Sequence, residues 1–196
     1  GIRWIAILTI PSSVAIAILS RPIIRTLLEH GHFSSIASHN TARALAGFAV
    51  GLAGFSVYIF ALRGFYAHED TRTPFWINAV ENALNIALAV PLTHAWGVYG
   101  LSLSFAIAYM VSAVVVLWML HVKYRGIDWS RVVSITLQSS VAAAVMGVVL
   151  WAMLHGLTPH SSYTELAQLF LCIGAGLGTY LVCLRLLRVP ELHNLR

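Results

Sequence analysis

Apolar residues fall into six long runs along the chain, at residues 4–20, 41–62, 74–93, 97–120, 132–154 and 163–187, with short polar segments between them. A helix needs about 20 mainly apolar residues to cross the hydrocarbon core of a bilayer. Five runs reach that length, and Pro22, Ile23 and Ile24 carry the first one past Arg21. A soluble domain does not bury six helices of this length in succession. The pattern predicts an all-α integral membrane protein with six transmembrane helices.

The junctions carry helix punctuation. After Arg21, the residues Ile23, Ile24, Leu27 and Leu28 recur at helical spacing, which predicts a short interfacial continuation ended by Gly31. Segment 34–40 reads as a polar linker. Pro74 suits the first turn of the third helix, with Thr73 as its N-cap. A tight turn is expected at residues 94–97, and Asp128 or Ser130 is expected to cap the fifth helix. Pro11 sits inside the first helix beside Ser12 and Ser13, so the carbonyl it frees needs a hydroxyl or a neighbouring helix. Gly47, Gly51 and Gly54 form one small-residue stripe, and Gly174 and Gly178 form a GxxxG spacing; both predict close helix packing. The polar loop at 123–131 is the best internal boundary, dividing 1–121 from 122–196.

Composition agrees with the bilayer reading. The chain is 59% hydrophobic and 10% charged, against about a quarter charged in soluble domains. The net charge of +5 could suggest nucleic acid, but its distribution reports topology. With six crossings, one side holds Arg3, Arg63, Arg72, Lys123, Arg125, Arg131, Arg185, Arg188 and Arg196; the other holds only Arg21, Arg25 and Arg43. Positive residues collect on the cytoplasmic side, so both termini are expected there and no nucleic-acid partner is needed. Cys172 and Cys183 lie eleven residues apart in one run, roughly 16 Å of helix, too far for a disulfide. No signal-peptide cleavage site is visible. The chain begins at Gly1, and a fragment of a longer protein is expected.

The third helix carries the unusual chemistry. Asn78, Glu81, Asn82 and Asn85 fall at i, i+3, i+4 and i+7, on one face of a helix otherwise built of Ala, Leu, Ile and Val. Polar groups facing lipid are costly, so this stripe is expected to look into a protein interior or a water-filled cavity. Interhelical hydrogen bonding, with Glu81 close enough to the helix end to be wetted, is the plainer alternative. His68, Glu69, Asp70 and Arg72 read as turn and capping residues of a solvated loop. Glu29, His30 and His32 lack the further ligand a metal would need. Only Glu69 and Asp70 are neighbours among seven carboxylates, and no catalytic spacing or phosphate-cradling loop is present. Neither an enzyme nor a cofactor is expected.

The run ALRGFYAHEDTRTP, residues 61–74, resembles the junction between the tenth and eleventh helices of the MurJ/MviN lipid II flippases, in the multidrug/oligosaccharidyl-lipid/polysaccharide exporter superfamily. The likeness extends back through RPIIRTLLEHGHF and forward through VENALNIAL and GVYGLSLSFAIAY, covering most of residues 1–121. Residues 122–196 match in pattern more than in letters. The resemblance implies the C-terminal part of a fourteen-helix MATE-like transporter. Residues 1–121 would be the last four helices of the second six-helix lobe, and 122–196 two accessory helices and a basic cytoplasmic tail. It marks Arg63, Phe65, Tyr66, Asp70, Thr71, Thr73 and Pro74 as the family junction, for which a structural role is expected.

It further implies a multi-pass protein of the bacterial plasma (inner) membrane with both termini cytoplasmic. Its activity would be alternating-access movement of lipid-linked peptidoglycan precursor to the outer leaflet. Its partners would be that precursor, membrane lipids and cell-wall synthesis proteins. The family's cavity arginines lie in helices absent here, and its last two helices form a groove suited to the lipid tail. Some members are similar in holding sodium with an Asn, an Asp and a hydroxyl. Asn85 matches the Asn, but the Asp position falls on Ala89 and the hydroxyl near Phe105, with Ser104 adjacent. No tight sodium site is expected. A drug or polysaccharide exporter and a non-transporting scaffold for cell-wall synthesis remain alternatives.

Overall fold

The computed structural model describes residues 1–28, 34–124, 129–156 and 162–187, without the side chains of 162–165. It contains six α-helices: α1 (Ile2–Leu28), α2 (Ser35–Tyr66), α3 (Arg72–Trp96), α4 (Val98–Tyr124), α5 (Trp129–Gly156) and α6 (Ser162–Leu186). All six are long and apolar enough to cross a membrane. Packing orders them in space as α3, α4, α2, α1, α5, α6, with α1 also touching α6.

Three local expectations change. The segment 34–40 is not a linker: Ser34 caps α2, its hydroxyl accepting from the Ala37 N–H at 3.2 Å, and the rest forms the first helical turns. Thr73 is not the cap of α3, which starts at Arg72; the Thr73 N–H instead bonds to the Asp70 carboxylate at 3.1 Å. Ser130 lies within α5, which starts at Trp129. Glu29, Gly31, His30, His32 and Asp128 lie outside the described residues. The turn after α3 falls where expected, at Gly97, whose positive φ of 61° lets α4 start one residue later.

Two cores form. Ile7 and Leu19 of α1 pack with Ile135, Met146 and Leu150 of α5 and with Cys172, Tyr180 and Leu184 of α6. Tyr58, Leu62 and Phe65 of α2 pack with Ile77 of α3 and with Val116 and Leu117 of α4. In lipid such contacts are held by close packing and hydrogen bonds, because hydrocarbon is as apolar as leucine. The α2 glycines provide this closeness. A Cβ at Gly51 would lie 2.6 Å from Ala106 Cα, and one at Gly54 would lie 2.9 Å from Met110 Cα, so α2 and α4 touch backbone to backbone. The GxxxG pair of α6 behaves differently. Among the described residues nothing approaches Gly174 and Gly178, and Gly176, on another face, meets Leu150.

Pro11 explains one long-range bond. Proline lacks an N–H, so the Ile7 carbonyl four residues earlier loses its helical partner. The Tyr180 hydroxyl of α6 donates to that carbonyl at 2.7 Å in a buried setting.

Candidate functional site

The α2–α3 junction is built from the residues the sequence singled out. Phe65 is completely buried and anchors the end of α2. The Asp70 N–H bonds to the Phe65 carbonyl and the Glu69 N–H to that of Tyr66, both at 3.0 Å, with Glu69 in the left-handed region at φ 59°. This is the bonding of a Schellman stop, with Glu where glycine is usual. Asp70 then turns outward. One carboxylate oxygen accepts from Thr73, and the other accepts from Lys123 Nζ of α4 at 2.6 Å. Lys123 also reaches the Thr73 hydroxyl at 3.3 Å. The Lys123 ammonium, then the Thr73 hydroxyl and N–H, hold the Asp70 carboxyl far below the usual carboxylate range. His68 stacks on Tyr124 of α4 at 3.8 Å. Pro74 is buried, Tyr66 is half exposed, and Arg63, Thr71 and Arg72 are exposed. The junction thus ties together the ends of α2, α3 and α4.

The polar stripe of α3 divides. Asn78 is half-buried and its Oδ1 accepts from the Tyr58 hydroxyl of α2 at 2.7 Å. Asn85 is half-buried, with its Oδ1 3.1 Å from Ser104 Oγ of α4. Between them Glu81 is 1% exposed, on the buried line of Pro74 and Ile77. Asn82 is exposed in this chain, and its Nδ2 donates to the Asn78 backbone carbonyl at 2.8 Å. Ser104 is the hydroxyl that reaches Asn85. Phe105 instead packs against Phe48, Phe55 and Tyr109.

Residue spacing did not reveal Lys123, Tyr58 or Ser104 as partners. Their separations from Asp70 and α3 run to 53 residues, and no local pattern links them. The one available hint was that Asp70 and Lys123 both end helices on the same side of the predicted topology. Among the described residues no three His, Cys, Asp or Glu side chains stand close enough to hold a metal ion. A separate apolar groove of about 460 Å³ opens between α1, α2, α4 and α5, lined by residues including Ala6, Ile10, Val57, Leu117 and Thr136.

Comparison with known proteins gives a consistent result. Residues 1–171 match the family model described as "Lipid II flippase MurJ". The chain is 30% identical over 188 residues to the probable lipid II flippase MurJ of Rhizobium meliloti, covering 92% of this chain and 35% of that protein. It is 36% identical over 161 residues to the corresponding protein of Rhizobium tropici, covering 81% and 30%. A solved structure titled "Lipid II flippase MurJ, inward closed conformation" superposes with a TM-score of 0.75 at 26% identity, over 93% of this chain and 37% of that one. The chain spans about a third of the length of the curated relatives it matches.

Proposed function

The chain belongs to the lipid II flippase MurJ family, and on that premise we propose that it is the six-crossing C-terminal part of a transporter. That transporter moves lipid-linked peptidoglycan precursor from the inner to the outer leaflet by alternating access. The observation that carries this reading is the shared fold with the solved flippase over 93% of the chain. In this reading α1–α4 are the last four helices of the second lobe, and α5 and α6 are the accessory pair. Both termini lie in the cytoplasm, supported by the excess of Lys and Arg on that side. The four polar residues of α3 belong to the lobe interior, Asn82 turning toward helices outside this chain. The Asp70–Lys123 junction fixes the cytoplasmic ends of three helices and takes no part in substrate choice. Head-group recognition belongs to the rest of the protein. The apolar groove beside α5 supplies volume for an acyl or polyprenyl chain. Cell-wall synthesis enzymes are the partners to which such a transporter would deliver its cargo.

Reconstitution tests this. The protein containing this chain, in proteoliposomes, should carry fluorescent lipid II to a leaflet where an added enzyme can modify it. Folded protein that leaves the lipid in place would refute transport and favour scaffolding. Movement of drug cations or other lipid-linked sugars in preference to lipid II would favour the other exporters. Transport should persist when sodium is replaced by potassium.

A further inference from the structure

Glu81 is the only carboxylate or basic side chain buried among the described residues. It lies nine residues into α3, so about 14 Å along the axis from Arg72. Helix-end wetting does not reach it, since it is 1% exposed, and neither carboxylate oxygen has a hydrogen-bond partner. Among the described residues the titratable groups that face it carry hydroxyls. From α2 it meets the field of Tyr58, and from α4 that of Tyr109. The basic groups nearby are engaged or distant. Lys123 is paired with Asp70, Arg72 and Arg63 are exposed at helix ends, and His121 sits against Trp129 at the end of α4.

An unpaired carboxylate in a dry site is strongly disfavoured relative to its neutral form. The remedy is a bound cation or a proton. A cation needs several converging oxygens. The Asn78 oxygen accepts from Tyr58, the Asn85 oxygen lies beside the Ser104 hydroxyl, and their seven-residue separation is about 10 Å of helix rise. A single ion cannot bridge them. A proton needs no such cage: it sits on one carboxyl oxygen and leaves the buried side chain uncharged.

We infer that Glu81 is a proton-binding site that latches α3 against α2 and α4. The carboxylic acid is the seated form. When α3 separates and water enters, the acid gives its proton to that water and stays ionised until the helices close again. The link to transport rests on the flippase reading above; the protonation itself does not.

The test separates the two. Infrared spectra of the protein in lipid nanodiscs should show a protonated-carboxyl band at neutral pH, equal in sodium and potassium. Glu81→Gln should abolish it, and Glu81→Asp should shift it. Spin labels on α2 and α3 should report an opening as pH rises in the wild-type protein, absent in Glu81→Gln. These readouts do not require lipid II, so they stand or fall apart from transport. Should Glu81→Gln not fold, the Glu81→Asp shift and the wild-type label distances still decide. A carboxylate already ionised at neutral pH, a band that moves with sodium, or an α2–α3 distance that ignores pH would each overturn the proposal.

Discussion

Removing the Tyr180 hydroxyl should unseat α6 from α1 because of a proline 169 positions away. Pro11 leaves the Ile7 carbonyl without its helical donor, and Tyr180 supplies the replacement at 2.7 Å. Ile7 and Tyr180 are each only 4% exposed, so water or lipid headgroups cannot step in. Leaving a buried acceptor unpaired costs about 1–3 kcal/mol in soluble proteins. Intramembrane side-chain hydrogen bonds measure lower, about 0.6 kcal/mol on average and up to about 1.7. The present acceptor has no alternative partner in its own helix, so Tyr180→Phe should cost about 1–2 kcal/mol, near the upper end. Pro11→Ala restores an N–H at position 11 and gives Ile7 its helical bond. In that background Tyr180→Phe should cost about 0.5 kcal/mol or less, a coupling of about 1 kcal/mol. Unfolding equilibria of the four proteins in bicelles, by steric trapping or denaturant titration, measure the cycle. Equal costs of Tyr180→Phe in both backgrounds, within about 0.3 kcal/mol, would refute the link between the proline and the tyrosine.

Gly51→Ala must part α2 from α4, because the new methyl would sit 2.6 Å from Ala106 Cα. A net loss of about 1–2 kcal/mol is expected after the helix-propensity gain of up to about 1, whereas Gly174→Ala in open space should be neutral or stabilising; equal effects in bicelle unfolding would contradict the packing. Asp70→Asn should loosen the junction at neutral pH, read as faster amide exchange at residues 67–75. The native Asp70 is stabilised in its ionised form, so its contribution is present above the ordinary carboxylate range and is lost as pH falls. The difference between the two proteins should therefore narrow below about pH 4, and a gap that widened on acidification would contradict the Lys123 pairing. For topology, cysteines at Ala67 and Lys123 should react with an impermeant thiol reagent from the cytoplasmic side only, and labelling from outside would reverse the assignment.

Six membrane-length helices were legible in the sequence because spanning is a local property. Each helix satisfies its own backbone, and a run of apolar residues is enough to place it in lipid. The place of the α2–α3 turn was legible for the same reason, since its turn residues lie within a few positions, but the cap was not: α3 starts at Arg72, and Thr73 bonds to Asp70 instead. Only the tertiary structure decided which faces meet. The stripes at Gly47–Gly54 and Gly174–Gly178 look alike as letters, yet α4 lies against one and, among the described residues, nothing lies against the other. Asp70 with Lys123, Tyr180 with Ile7, and Ser104 rather than Phe105 at Asn85 are settled the same way. Helices in hydrocarbon have no hydrophobic reason to prefer one apolar face, so the choice falls to close backbone fit and to the few polar groups needing partners. Those partners come from anywhere in the chain, and sequence distance carries no trace of them. Glu81 shows the limit most directly: its spacing marked a polar face, but its burial without a cation emerged only when α2 and α4 closed around it.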